Sequence, residues 1–313
     1  MARKRATDLS KTDMTMLVLI VLLVIFGLAV LFSSSEYNGR VRFGDSACYF
    51  KKQLFATALG MGVMYMVSSI DYHFFLRLGP VAYLISMFLS GAVLFVGQEI
   101  NGSKRWLNLG PLSFQPSEFA KVAVILFLAW QIERTKKATM GFGFMCRTIL
   151  TLLPIIGLVG SNNLSTAIIV MAITVLLLFL VHPKTKRFVV FACVVLVLAV
   201  IVVVYLKIQI SDMATSTDFR MRRIIAWLNP EANADTDSYQ FLQGLYAIGS
   251  GGFFGKGLGN STQKLHAIPE AQNDMILAVI CEELGVFGAI IILCLFAFML
   301  YSCLLYTSPI PRD

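Results

Sequence analysis

Four carboxylates in one short segment are the residues of this sequence best suited to chemistry. The segment begins at Lys264 and reads KLHAIPEAQNDMILAVICEELG, with Glu270 and Asp274 before a long apolar run and Glu282 and Glu283 inside it. A carboxylate on a loop can take the proton of a hydroxyl group and turn that hydroxyl into a nucleophile. Charged groups inside an apolar run are costly unless they are paired or used, so the inner two need a separate explanation.

The spacing of the carboxylates separates them into two groups. Glu270 and Asp274 are four residues apart and would share a helical face only if the helix began at Pro269. Glu282 and Glu283 lie about 12–14 Å deeper than Asp274 if the segment is helical. That depth is too great for the same chemistry. Two interpretations stay open for the inner carboxylates, a buried pairing role in a helical bundle or a lining for substrate passage.

A second polar region follows Asn101 and reads NGSKRWLNLGPLSFQPSEFAKV. Pro116 with an acid two residues later is typical of a helix start, since proline suits the first turn and an acid suits the positive end of the helix dipole. Glu118 and Lys121 are three residues apart and share one face of that helix. A plain ion pair at a helix start would explain them equally well, and Trp106 would serve as an interfacial anchor.

A third region, between residues 218 and 274, is rich in arginine and glycine. Arg220 and Arg223 precede the run GSGGFFGKGLG, which lacks the G-K-[ST] of a phosphate loop and follows no predicted strand. Nucleotide binding is therefore not expected, and glycine here is better explained by tight backbone packing or close approach to a ligand. The sequence also lacks the motifs of zinc hydrolases, serine hydrolases and C-x-x-C redox proteins. Transfer chemistry on a lipid-linked anion fits what is left.

The elements that must position these residues are membrane-spanning helices. The chain has 313 residues, of which 57% are hydrophobic and only 14% charged, and its mean hydropathy is +0.76. Soluble domains average about 25% charged residues, and apolar runs near 20 residues predict spanning helices rather than a barrel. Eight spans are predicted, at residues 14–32, 53–70, 78–96, 119–132, 144–159, 164–181, 188–206 and 275–300. The fold class is therefore an all-α, multi-pass membrane protein with a large loop at residues 207–273.

Charge distribution predicts that the amino terminus lies in the cytoplasm. The loops QIERTKKATMGF and HPKTKRF then fall inside, as the positive-inside rule requires. The opposite side also carries many lysines and arginines, including Lys104 and Arg105 in a short loop. Two explanations stay open, a basic surface that faces anionic lipid headgroups and an outward-facing site for a polyanionic substrate.

Three motifs in the same order resemble those of the bacterial SEDS family (shape, elongation, division and sporulation), which comprises FtsW, RodA and SpoVE. They are NGSKRWLNLGPLSFQPSEFAK, YQFLQGLYAIGSGGFFGKGLGNSTQKL and IPEAQNDMILAVICEELG. The likeness extends from the first span to about Leu300, and its details are closer to the FtsW and SpoVE branch than to RodA. The resemblance implies a bundle of ten helices with a large outer loop between the seventh and eighth, which fits residues 207–273.

The resemblance also implies a function, the polymerisation of lipid II into glycan strands at the outer face of the bacterial cytoplasmic membrane during division or sporulation. The transfer inverts the configuration at the anomeric carbon of the sugar, and undecaprenyl pyrophosphate is the leaving group. The essential loop aspartate of the family falls on Asp274, which would be the catalytic base. The residues expected to bind substrate are Arg105, Trp106, Gln115, Ser117, Glu118, Lys121, Arg220, Arg223 and Glu270.

Within this set, the leaving pyrophosphate requires positive charge that is already in place. Arg105, Lys121, Arg220 and Arg223 would supply it. A divalent cation would share the task, although no ligand set for one is visible in the sequence and no other cofactor is expected. The implied partners are lipid II, a class B penicillin-binding protein that acts as transpeptidase, and other divisome proteins; no nucleic acid is expected. Two rival functions are a lipid II flippase and a non-catalytic membrane scaffold for a transpeptidase.

This chain departs from the family pattern in two places. The family often has PDLGT where this sequence has NNLST from Asn162, so no charge is available there. The end of the chain, SCLLYTSPIPRD, breaks the apolar run with two prolines. We expect residues 1–301 to form a single SEDS membrane domain that lacks its last two helices, and residues 302–313 to be a non-native tail.

Overall fold

The computed structural model of the protein describes residues 2–100, 103–109, 112–135, 142–181, 225–234, 238–266 and 268–307, with positions 197, 201, 204 and 205. The chain divides into two compact units, residues 66–203 and residues 1–65 with 204–313. The predicted span at 188–206 lies almost wholly outside the described residues, as does the segment with Arg220 and Arg223.

In the unit of residues 66–203, the described residues form a bundle of four helices with a small sheet at one end. The helices are α3 (Tyr72–Val96), α4 (Pro116–Arg134), α5 (Phe142–Asn162) and α6 (Leu164–Val181), and the strands are β1 (Gln98–Ile100), β2 (Ser103–Leu109) and β3 (Leu112–Phe114). Leu128 of α4, Leu152 and Ile155 of α5 and Val170 of α6 are fully buried in one shared cluster. This core fixes α3, α4, α5 and α6 against one another beneath the sheet.

The sheet between α3 and α4 is antiparallel in the order β1, β2, β3. The sequence predicted only turns in this region, so the sheet adds to the expected all-α class. Gln98 pairs with Trp106 and Glu99 pairs with Lys104, which leaves Arg105 as one extra residue in β2. Such a β-bulge re-aims the side chain of the extra residue, and here that residue is a predicted substrate-binding arginine.

The other unit is built on the first and last described helices. It contains α1 (Ala2–Phe43), α2 (Cys48–Ser68), a 3-10 turn at Glu231–Asn233, α7 (Tyr239–Gly251), α8 (Gln263–His266) and α9 (Ile276–Thr307). Helix α9 packs against both α1 and α7. Val30 of α1 meets Ile280 and Ile292 of α9 in a buried cluster, which fixes the chain on either side of Glu282 and Glu283.

Helix α9 is broken nearer its start than its end. Gly285 has φ 71° and ψ −174°, outside the helical region, so the helix consists of a short first part and a longer second part that meet at this glycine. The sequence predicted one continuous span at 275–300, because a single glycine in an apolar run usually stays helical. The helix also continues to Thr307, through the first six residues of the predicted tail.

Most of the predicted spans form helices, and five of the described helices are suited to crossing a membrane. Five described helices are long and apolar enough to cross a bilayer, at Met14–Phe43, Tyr72–Val96, Gly143–Asn162, Leu164–Val181 and Ile276–Leu304. The predicted spans at 53–70 and 119–132 form helices α2 and α4, which are not among these five. The protein is therefore a polytopic helical membrane protein, as predicted.

Candidate active site

The segment before α9 is a series of turns rather than the start of a helix. Residues 268–275 are non-helical and α9 begins at Ile276, so Glu270 and Asp274 do not share a helical face. Ile268, Ala271 and Gln272 are buried, and buried side chains of this kind anchor the turns to the unit beneath them. The segment is thus held in place although it has no regular secondary structure.

Glu270 is the residue that organises these turns. It has a positive φ of 50°, and its Oε2 accepts hydrogen bonds of 2.9 Å from the amides of Gln272 and Asn273. Its Oε1 lies 3.1 Å from a terminal nitrogen of Arg42 on α1, and Asn38 of α1 donates to Gln272 at 2.8 Å. Glu270 therefore orients the segment and ties it to α1.

Asp274 stands at the end of these turns with a free carboxylate. Its side chain is exposed, and no residue that the structure describes donates a hydrogen bond or forms an ion pair to it. A base must be able to accept a proton from its substrate. An exposed, unpartnered carboxylate on an anchored segment meets that requirement, whereas Glu270 has its oxygens already occupied.

The inner carboxylates have the buried pairing role that was one of the two predicted. Glu283 is 1% exposed, and its Oε1 lies 2.7 Å from the ammonium of Lys264, which is itself 5% exposed. The hydroxyl of Ser33 on α1 donates to Glu283 at 2.7 Å and accepts from Lys264 at 2.9 Å. The three side chains join the outer loop, α1 and α9 in one buried network.

Glu282 has a different set of partners. Its Oε1 lies 2.6 Å from the ammonium of Lys256, and its carboxylate is fully buried. Further donors to the same carboxylate are the hydroxyls of Ser250, Ser261 and Thr262 and the backbone amides of Thr262 and Gln263. Lys256 and Lys264 both lie outside the predicted spans, and the structure folds both against these buried glutamates.

The glycine-rich loop caps the break in α9. The amides of Lys256 and Gly257 donate to the carbonyls of Glu282 and Glu283 at 2.9 and 2.8 Å. A side chain at Gly255, where φ is 77°, would place its Cβ 2.2 Å from the carbonyl of Glu283. Backbone groups in a membrane must be satisfied within the protein, so glycine is needed here for close backbone packing and no phosphate loop is formed.

In the four-helix unit, Arg105 reaches the end of α5. Its Nε donates a 3.0 Å hydrogen bond to the backbone carbonyl of Asn162, where a cation also complements the negative end of the helix dipole. The two terminal nitrogens of this guanidinium have no partner among the described residues. They are available to bind an anion.

The start of α4 confirms the predicted helix signal. Pro116 occupies the first turn, and Glu118 and Lys121 form the predicted ion pair at 2.7 Å, with Glu118 56% and Lys121 28% exposed. Gln115 donates to the hydroxyl of Ser117 at 3.0 Å. Since Lys121 already has a carboxylate partner, it offers less charge to a ligand than Arg105 does.

A small cleft joins these elements in the same unit. Its lining is formed by Ser90, Val93, Lys104, Arg105, Pro116, Ser117, Leu158, Val159, Asn162 and Asn163. The structure therefore brings together Arg105 and Ser117 from the predicted set; Trp106, Gln115, Glu118 and Lys121 are near in sequence but do not line it. Ser90 was missed by sequence reasoning, although serines at positions 86 and 90 of an apolar span are a signal at helical spacing.

No cluster of three or more histidine, cysteine or acidic side chains suited to a metal occurs in the part of the chain that the structure describes. A divalent cation that shares the leaving-group charge stays a prediction from the sequence.

The motifs and the fold agree with one family. The profile of FTSW_RODA_SPOVE, described as cell cycle protein, matches residues 13–311. The chain belongs to this family. Its members are integral membrane proteins, so a place in the bacterial cytoplasmic membrane follows from family and fold together.

Individual FtsW and SpoVE proteins are similar over most of their length. The chain is 32% identical over 292 residues to the probable peptidoglycan glycosyltransferase FtsW of Trichlorobacter lovleyi, covering 92% of this chain and 74% of that protein. It is 31% identical over 299 residues to the stage V sporulation protein E of Bacillus subtilis, covering 94% of this chain and 79% of that protein. These names match the predicted FtsW and SpoVE branch.

Two solved structures have the same fold. One, described as the structural coordination of polymerization and crosslinking by a peptidoglycan synthase complex, gives a TM-score of 0.66 at 22% identity and covers 92% of this chain and 76% of that chain. The other is the rod shape determining protein RodA of Thermus thermophilus, with a TM-score of 0.57 at 22% identity, covering 92% of this chain and 72% of that chain. Both confirm the helical SEDS architecture.

Proposed function

We propose that this protein is a peptidoglycan glycosyltransferase that polymerises lipid II at the outer face of the cytoplasmic membrane, in division or sporulation. The name of the FtsW relative supports the reaction. The observation that carries the proposal is the exposed and unpartnered carboxylate of Asp274, on a segment that buried residues and Glu270 hold in place. A catalytic base needs both of these properties.

In the proposed step, Asp274 takes the proton from the 4-hydroxyl of one lipid II sugar. The oxygen attacks the anomeric carbon of a second lipid II from the face opposite its pyrophosphate. A new carbon–oxygen bond forms, the bond from that carbon to the phosphate oxygen breaks, and undecaprenyl pyrophosphate leaves with the electron pair. The base contributes about 10²–10⁴-fold to such a reaction, and inversion at the anomeric carbon follows from attack on the opposite face.

The leaving group carries negative charge, and positive groups fixed in advance stabilise it. Arg105 is the predicted cation most suited to binding an anion, because its terminal nitrogens are unpartnered among the described residues while its Nε holds it to the end of α5. Lys121 would contribute more weakly because Glu118 neutralises it. Arg220 and Arg223 keep this role as predictions from the sequence.

A transpeptidase is the proposed partner, specifically a class B penicillin-binding protein. The similar solved structure is described as coordinating polymerization with crosslinking, and crosslinking of peptide stems is the reaction a transpeptidase performs. Binding to other divisome proteins is proposed from the family resemblance alone.

Purified protein with its transpeptidase partner should convert labelled lipid II into long glycan strands. Sealed vesicles that carry labelled lipid II on one leaflet test translocation in the same preparation. Strand formation without translocation supports the polymerase. Translocation without strand formation would show that the protein is a lipid II flippase. The absence of both activities would favour the non-catalytic scaffold.

A further inference from the structure

The cleft at the sheet end of the four-helix unit contains polar atoms that the protein itself does not satisfy. The hydroxyl of Ser90, a residue only 2% exposed, has no hydrogen-bond partner among the described residues, and neither does the side-chain amide nitrogen of Asn162. Both residues line the cleft. A buried polar group without a partner costs about 1–3 kcal/mol, so two of them at one place point to a ligand that satisfies them.

The unpartnered donors in the lining favour a ligand that accepts hydrogen bonds. The amide nitrogen of Asn162 and the guanidinium of Arg105 can only donate, and the Lys104 ammonium beside them can only donate as well. The Ser90 hydroxyl can rotate to donate. A set of donors with two fixed positive charges suits an anionic oxygen.

The size of the cleft restricts the ligand further. Its volume is about 20 Å³, which holds about one water-sized group. A sugar ring is far larger, whereas a single phosphate oxygen has the right size. The apolar side chains of Val93, Leu158 and Val159 complete the lining, and their low polarity strengthens a charge-assisted hydrogen bond.

We infer that Ser90, Asn162 and Arg105 form a subsite that receives one phosphate oxygen of a lipid-linked pyrophosphate. This inference deepens the proposed function and rests on it for the choice of a lipid-linked ligand. Ser90 and Asn162 contribute hydrogen bonds and Arg105 contributes charge. The subsite accounts for the unsatisfied atoms, the donors beside them and the small volume together.

The test is a binding titration of the purified protein in phosphate-free detergent solution with farnesyl pyrophosphate, inorganic pyrophosphate and farnesol. We expect farnesyl pyrophosphate to bind and farnesol to fail. Ser90→Ala should weaken pyrophosphate binding about tenfold, the loss expected for one hydrogen bond to a charged group. Asn162→Asp, which replaces a donor with a negative acceptor, should weaken it further.

Ser86→Ala is the matched control. Ser86 lies one turn away on α3, is fully buried and also has an unpartnered hydroxyl, but it does not line the cleft. Its replacement should leave pyrophosphate affinity unchanged. Equal affinities for Ser90→Ala and Ser86→Ala would overturn the subsite.

These measurements also distinguish a lipid-linked pyrophosphate from a free one, and failure of the subsite from failure of the proposed polymerase. Tighter binding of farnesyl pyrophosphate than of inorganic pyrophosphate supports the lipid-linked ligand, and equal binding would overturn that assignment. Polymerisation by Ser90→Ala with unchanged KM would reject the subsite and leave the polymerase standing. If the wild-type protein forms no strands but binds pyrophosphate, and Ser90→Ala loses that binding, the polymerase is rejected and the anion subsite stands.

Discussion

Lys264→Met tests the buried network that joins the outer loop to α1 and α9. The substitution keeps an unbranched apolar chain and removes the ammonium, which lies 2.7 Å from Glu283 and 2.9 Å from the Ser33 hydroxyl. Glu283, at 1% exposure, would then keep its charge with the serine as its remaining partner.

The size of the effect follows from the geometry. At 2.7 Å and an effective dielectric constant of about 20, the attraction between the two charges is about 6 kcal/mol before desolvation is subtracted. Breaking a buried pair by removing one partner typically costs about 3–5 kcal/mol. A loss of that size should release the loop that precedes Asp274, so both thermal stability in detergent and strand formation should fall.

Lys256→Met is the matched comparison. Lys256 pairs with the neighbouring Glu282, but it is 32% exposed, and Glu282 keeps three hydroxyl and two backbone donors without it. We therefore expect a much smaller loss of thermal stability and activity. The double variant Lys264→Met with Glu283→Leu, which removes both charges, should recover most of the stability. The reasoning fails if Lys256→Met is as damaging as Lys264→Met, or if the double variant is no more stable than the single one.

Three further predictions concern the break in α9, the cleft and the turns before α9. Gly285→Ala should lower the melting temperature strongly, because φ at this residue is 71° and the new Cβ would clash with a backbone carbonyl. Gly27→Ala, with nothing within 4 Å of its new Cβ, should leave the melting temperature unchanged. Equal melting temperatures for the two variants would contradict the prediction. Arg105→Lys keeps the charge but loses the Nε donor to the end of α5, so strand formation should fall to an intermediate level. Strand formation at the wild-type rate would show that the guanidinium geometry is not used. Glu270→Gln weakens the contact to α1 and should reduce strand formation less than loss of the base does; complete inactivity would assign Glu270 a direct chemical role.

Local signals in the sequence predicted the helices and their starts well. Pro116 fixes its own backbone angle and has no amide to leave unpaired, so α4 begins there as expected. The apolar runs predicted helices because runs near 20 residues suit a spanning helix, whereas the strands of a barrel are shorter and alternate in polarity. The Glu118–Lys121 pair followed from helical spacing alone.

Contacts between segments that are distant along the chain could not be predicted from the sequence. Lys264 and Glu283 are nineteen positions apart, and their pairing depends on the glycine loop folding back onto α9. The break at Gly285 depends on the same loop, because its capping amides replace the lost helical hydrogen bonds. The β-bulge at Arg105 likewise could not be predicted, since a bulge is defined by the register of the neighbouring strand.

The most direct test of the proposed function is the rate of lipid II polymerisation by Asp274→Asn. Asparagine keeps the shape of the side chain and cannot act as a carboxylate base. Asp45→Asn is the control, because Asp45 is a half-exposed carboxylate of the same unit whose oxygens are bound by Lys51 and the amide of Ala47. We predict that Asp274→Asn lowers the rate at least about 10²-fold, with expression, membrane insertion and partner binding unchanged, while Asp45→Asn stays near wild type. Polymerisation by Asp274→Asn at the wild-type rate would contradict the assignment of the base.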